Sequence, residues 1–350
     1  MSAKKRNFGL DVLRALSIVL VLIAHKIQLR IELGVLGVQI FFILSGFLIG
    51  QILISDFQGT NTLSTVFHFW KRRWFRTLPL YYLVLTLMII FGNNPFGWKV
   101  IIYYFFLQAN FLGIDFFPIT WSLVVEEWFY IFLPLASLTF FRKGIQPKRL
   151  LIFIFSFICI FFLARFFWSY FEKGVILYQF ECLLIGVLLA AIKKHYFAVY
   201  TRLAIWPLAV TGFVGVIFLL AVMGNVINHP LFDPFYNVTW YFILSLCIAS
   251  ILPFFENSRF INYGLFVDNP IYRFITWISI LSYSLYLLHP ACYTLDFGLP
   301  ILVTNLLQII SLFSSSFLLF VLYERPVMNL RDEFSWKNYF WSVKSAIKQS

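Results

Sequence analysis

At 350 residues the chain is 61% hydrophobic and only 12% charged, yet carries a formal net charge of +12. That balance argues against a soluble domain, and apolar runs recurring along the whole length predict an all-α, polytopic transmembrane helical bundle. The runs are continuous rather than alternating in period two, which argues against a membrane barrel.

In chain order the runs predict about ten spans, at residues 8–29, 35–54, 77–92, 119–141, 150–168, 176–192, 203–223, 237–255, 274–291 and 300–322. The first, FGLDVLRALSIVLVLIAHKIQL, has no small-residue cleavage site and reads as a retained helix rather than a signal peptide. At 3.6 residues per turn, Asp11, Arg14, Ile18, Leu22 and His25 share one stripe, with Arg14 and His25 roughly 16 Å apart along the axis. Ionisable groups at membrane depth are costly and face a bundle interior or a watery cavity; the plain alternative is a satisfied buried histidine with interfacial charges. In the second run, Gly34, Gly37, Gly46 and Gly50 permit close backbone approach, and Ser45 with Gly46 interrupts a bulky aromatic wall.

Lys71, Arg72, Arg73 and Arg76 precede the third span. They read either as an interfacial anchor or, through the forks of Arg73 and Arg76 on one helical face, as a grip for a multiply charged phosphate. Lys99 to Leu112 is apolar but short for a span, and is expected to be a re-entrant or interfacial piece on the outer side. Glu126 and Glu127 point about 100° apart, so at most one serves a shared site, and Tyr130 lies one turn beyond Glu126. Arg165 falls mid-span, where a buried ion pair is the default. Cys159, Cys182, Cys247 and Cys292 are scattered without metal-ligand spacing and read as small buried hydrophobes. No metal is expected, and no glycine-rich loop suggests a nucleotide triphosphate. After Pro326 the sequence mixes Trp and Phe with Lys, as in an amphipathic helix on the inner leaflet. The expected division is a membrane domain at 1–326 and a cytoplasmic tail at 327–350.

The net charge invites a nucleic-acid partner, but its placement argues against one. With the N-terminus cytoplasmic, most of the 27 basic residues fall in the inner segments, among them Arg6, Arg72, Arg142, Lys143, Lys193, Arg273 and Arg325. The positive-inside rule accounts for that asymmetry and puts both termini in the cytoplasm.

Five segments resemble a known family in the expected order: Arg14-x10-His25, GVQIFFILSGFLI at Gly37 to Ile49, RRWFR at Arg72 to Arg76, WSLVVEEWFY at Trp121 to Tyr130, and YSLYLLHP at Tyr283 to Pro290. They are similar to the membrane acyltransferase-3 family, the O-acetyltransferase-type integral membrane enzymes. The resemblance implies a bacterial cytoplasmic (inner) membrane enzyme that moves an acyl group, acetyl first of all, from acyl-coenzyme A to a hydroxyl of an envelope glycan. A lipopolysaccharide O-antigen, an exopolysaccharide or peptidoglycan would be the acceptor. It also implies catalytic roles for His25, as general base, and for Glu126 and Arg14. Arg73 and Arg76 would bind the donor, and Ser45, Trp121, Tyr130 and His289 the substrate. Glu126 is read as orienting or charging a histidine or holding a polar substrate group, against an inter-helix ion pair with Arg14 or Arg165. Gln39 stands where similar sequences are commonly acidic, which leaves the partner of His25 open. Some similar proteins carry an extracytoplasmic hydrolase-like domain after the bundle, for which the residues here are expected to be too few. The competing class is a proton-coupled transporter or glycan exporter, whose usual matched halves are not visible in the sequence.

Overall fold

The computed structural model describes residues 6–27, 33–59, 61–92, 97–105, 116–168, 179–226, 234–258 and 269–333. Among these the regular structure is helical. The helices are α1 (Phe8–Ile27), α2 (Leu33–Asp56), α3 (Leu63–Phe91), α4 (Trp121–Phe140), α5 (Pro147–Trp168), α6 (Phe180–His195), α7 (Phe197–Leu203), α8 (Trp206–Val226), α9 (Pro234–Asn257), α10 (Pro270–Tyr293), α11 (Ile301–Leu319) and α12 (Arg325–Glu333). Among the described residues eight stretches are long and apolar enough to cross a membrane, or nine if the α7–α8 pair, bent by 57°, is one span. The expected span at 176–192 is α6, which at 16 residues is short for a crossing. Residues 176–178 lie outside the described residues.

The bundle is built around α2 and α6, which run side by side. From Phe180 to Ala191 almost every α6 residue is buried. The contact is close because both helices lack side chains where they touch. A methyl group on Gly46 would land on the Leu183 carbonyl, and one on Gly186 would meet Ile43 O and Phe47 N. Around them α4, α5 and α6 share an aromatic cluster in which Phe161 packs edge-to-face on Phe132 and Phe180, the three rings standing 5.0 to 6.0 Å apart. The expected buried ion pair of Arg165 is present: its partner is Glu181 at the start of α6, with both side chains at most 5% exposed.

Helix α3 corrects the sequence reading. It begins at Leu63, not near residue 77, so Arg72, Arg73 and Arg76 lie inside a 29-residue helix. Thr62 N–H donates to Thr65 Oγ1 at 3.3 Å at its start. After α3, residues Gly97–Phe105 form a 3₁₀ helix held by the hydroxyls of Tyr81 and Tyr82, which donate to the Tyr103 and Tyr104 carbonyls at 2.8 and 3.1 Å. It does not cross the bundle. The α2–α3 and α4–α5 connections meet at one end, where Asn61 N–H donates to Arg142 O (2.9 Å) and Ile145 N–H to Phe57 O (3.1 Å). The basic segments Lys71–Arg76 and Arg142–Arg149 accordingly share an end of the bundle. Of the piece read as 99–112, residues 99–105 follow the far end of α3, and 106–112 lie outside the described residues. The 326/327 boundary falls within α12, which continues from α11 through a π turn at Phe320–Glu324. The tail from 334 to 350 lies outside the described residues.

Candidate active site

A cleft with about 760 Å³ of atom-free space, open solvent included, lies between α1, α2, α3, α4 and α10. Its cationic wall is made by Arg14, Arg73 and Arg76, and its carboxylate by Glu126. Asp11 is shared: Arg6 donates to it at 2.6 and 3.0 Å and Ser279 Oγ at 2.7 Å, while Arg14 pairs with it more loosely at 3.7 Å. Arg73 is clamped. It donates to Ser45 Oγ at 3.0 Å and to the Tyr130 hydroxyl, and lies 4.4 Å above the Tyr130 ring. Tyr130 in turn donates to Glu126 Oε2 at 2.9 Å, and Ser45 Oγ is 2.6 Å from the same hydroxyl. Arg76 lines the cleft and remains exposed, with no hydrogen bond or ion pair among the described residues. The cleft is lined by three guanidinium groups and one carboxylate, with Asp11 beside Arg14 and Glu324 near Arg76, and its arginine forks suit a phosphate.

The carboxylates divide as their angular separation requires. Glu126 faces the cleft, 3.9 Å from Arg73, so its ionic partner is neither Arg14 nor Arg165. Glu127 is buried behind the wall and accepts from Thr77 Oγ1 at 2.8 Å. Trp121 stays at the edge, packed edge-to-face on Phe42.

Arg73 and Arg76, which the sequence left as either an interfacial anchor or a phosphate grip, share one cleft with Arg14 and Glu126. His25 is not in that cleft. It sits near the far end of α1, exposed, with Nδ1 donating to Val21 O at 2.9 Å. Beside it is His289, fully buried, with ring centroids 4.7 Å apart. Tyr286 joins the two regions. Its hydroxyl is 2.7 Å from Ser122 Oγ and from Ile119 O in the cleft wall, and its carbonyl receives His289 Nδ1 at 2.7 Å. Gln39 takes no part in holding His25. It is buried, and neither of its amide atoms has a partner among the described residues. Sequence reasoning passed over Tyr286 and took Tyr283 and Ser282 as packing and hydrogen-bonding elements; Tyr283 does donate to Thr77 O at 2.7 Å, and all three line the cleft. The signal was available, since Ser279, Tyr283, Tyr286, His289 and Tyr293 recur at three- and four-residue steps on one helix.

A family model described as an acyltransferase domain matches residues 7–325. The chain belongs to the acyltransferase-3 family. The O-acetyltransferase OatA of Staphylococcus aureus (strain NCTC 8325 / PS 47) is 32% identical over 164 residues, covering 41% of this chain and 26% of that protein. The peptidoglycan O-acetyltransferase OatA of Listeria monocytogenes serovar 1/2a (strain ATCC BAA-679 / EGD-e) is 30% identical over 162 residues, with the same coverage of 41% and 26%. A further relative from Staphylococcus aureus (strain COL) is 28% identical over 335 residues, covering 84% of this chain and 53% of its own length. The chain thus spans between about a quarter and a half of the length of these curated relatives. No solved structure matches. For this acyltransferase-3 protein, membership and the many apolar helices make it a multi-pass membrane protein. Among the described residues no group of three or more His, Cys, Asp or Glu is placed to hold a metal.

Proposed function

We propose that this protein is an O-acyltransferase of a bacterial cytoplasmic membrane that carries an acetyl group from acetyl-coenzyme A to a hydroxyl of an envelope glycan. The observation that carries the reading is the convergence of Arg14, Arg73, Arg76 and Glu126 on one cleft whose wall residue, Tyr286, also seats His289 beside His25. The basic end of the bundle faces the cytoplasm by the positive-inside rule. The donor enters there, and its phosphates sit on Arg73, Arg76 and Arg14, with the arm directed along α1 toward His25.

His25 is the general base. Its Nδ1–H is committed to the Val21 carbonyl, so the neutral ring presents Nε2 as an acceptor. Nε2 takes the proton of the acceptor hydroxyl as its oxygen attacks the thioester carbon. Glu126 keeps Tyr130 and Arg73 in place, so that the guanidinium plane is fixed before the donor arrives. Peptidoglycan is the first acceptor to try, since one relative's name specifies it.

The purified full-length chain in detergent is given acetyl-coenzyme A, with water as a poor acceptor, and free thiol is measured. Slow thiol release that disappears in His25→Gln is the expected result. Substrate uptake into proteoliposomes with no thioester cleavage would instead indicate a carrier.

A further inference from the structure

A carbonyl oxygen can only accept a hydrogen bond. The contacts of His25 Nδ1 with Val21 O (2.9 Å) and of His289 Nδ1 with Tyr286 O (2.7 Å) therefore fix both neutral rings with the proton on Nδ1 and the lone pair on Nε2. His289 is fully buried, and its Nε2 has no hydrogen-bond partner. Its neighbour is His25, at 4.7 Å between centroids and 62° between planes. A buried polar atom without a partner is unfavourable. Two neutral rings cannot relieve it, because both Nε2 atoms are acceptors. A cation on His25 can.

We propose that His289 is the positioning partner of His25: its buried, unoccupied Nε2 stabilises the imidazolium that forms when His25 takes a proton. This rests on His25 being the base. In the step, the hydroxyl O–H bond breaks and its proton goes to His25 Nε2. The oxygen bonds to the acyl carbon while the carbon–sulfur bond breaks with its electron pair on sulfur, and the proton passes from His25 to the thiolate. His289 gains and loses none. A carboxylate fills this place in many base–histidine pairs, but among the described residues none lies within ion-pair distance of either ring, the only acid–histidine pair being His68 with Asp56. The other titratable neighbours are Tyr286 and Tyr293, with rings 5.7 and 5.8 Å from His289, Cys292 on the same helix, and Lys26. The Lys26 ammonium is engaged by Gln308 and lies 5.0 Å over the Tyr293 ring. An acceptor that finds its cation only after proton transfer favours the transition state over the ground state, so it acts on kcat.

Edge-to-face packing between α1 and α10 is the structural alternative, and two substitutions separate it. His289→Phe keeps an aromatic ring and loses the acceptor; His289→Gln supplies an acceptor oxygen. The full chain in detergent, labelled with ¹⁵N-histidine and assigned with His25→Gln, is titrated by NMR. His289→Phe should lower the His25 midpoint by about one pH unit, and His289→Gln should restore part of it. The acid limb of acetyl-coenzyme A hydrolysis should move to lower pH by the same amount, with kcat down about tenfold and KM unchanged. Should His289→Phe not fold, the wild type still decides: His289 Nε2 must read as an unprotonated ring nitrogen whose shift follows the His25 midpoint. A protonated Nε2, or an unmoved midpoint in His289→Phe, overturns the pairing. Undiminished hydrolysis in His25→Gln would overturn the base reading instead, whatever the midpoints show.

Discussion

At the residue scale, the two ends of the proposed path should fail in different ways. Removing a general base typically lowers the rate by about 10²–10⁴-fold, so His25→Gln should collapse kcat while coenzyme A binding, measured at equilibrium, stays near wild type. Arg73→Ala and Arg76→Ala should chiefly raise the KM for acetyl-coenzyme A. Lysine at Arg73 should rescue poorly. It keeps the charge but cannot reach Ser45, Tyr130 and a phosphate with one planar fork. Tyr130→Phe tests the clamp itself, since it keeps the ring under the guanidinium but removes the hydroxyl that joins Arg73 to Glu126. Its expected effect is a several-fold rise in KM with little change in thermal stability, equivalent to roughly 1 kcal/mol for one lost hydrogen bond. Most of these residues were legible in the sequence as ionisable groups in apolar runs. Their grouping was not, because it depends on how far α3 extends.

At the element scale, the start of α3 shows why. A run of basic residues in front of an apolar stretch normally marks a membrane boundary, and the sequence was read that way. The helix continues through the arginines because Ser45, Tyr130 and Glu126, on α2 and α4, supply Arg73 with partners that sequence spacing does not reveal. By contrast, the glycine pattern of α2 foretold a close crossing, and the structure supplies its partner in Gly186 of α6. Gly46→Ala should therefore force the α2 and α6 backbones apart and cost about 1–3 kcal/mol, read as a lower melting temperature in detergent. The Arg165–Glu181 pair makes a sharper case. Arg165→Leu should leave a carboxylate uncompensated inside the protein and destabilise it by about 3–5 kcal/mol, whereas Arg165→Leu with Glu181→Leu should recover most of the loss. A double variant no more stable than Arg165→Leu would mean that the arginine acts through something other than this carboxylate.

At the scale of the whole molecule, the sidedness follows from which connections meet. Cysteines introduced at the exposed Gln58 and Gln146 should label from the same side of the membrane, and one at the exposed Asp296 from the other. Opposite labelling of Gln58 and Gln146 would contradict the meeting of the α2–α3 and α4–α5 connections. The sequence pointed to Asn61, Gln146 and Asn228 for such labelling, but Asn61 is buried and Asn228 lies outside the described residues. The wrapping of α6 reaches back to how the protein is made. A short helix with a glutamate in its first turn is a poor substrate for insertion by itself, but α5 precedes it on the ribosome and carries the matching arginine. Entering as a hairpin, the two helices present one neutral pair to the translocon instead of two isolated charges. The central helix of the finished bundle is thus admitted on the credentials of its predecessor, and errors at Arg165 should appear as lost protein before they appear as lost activity.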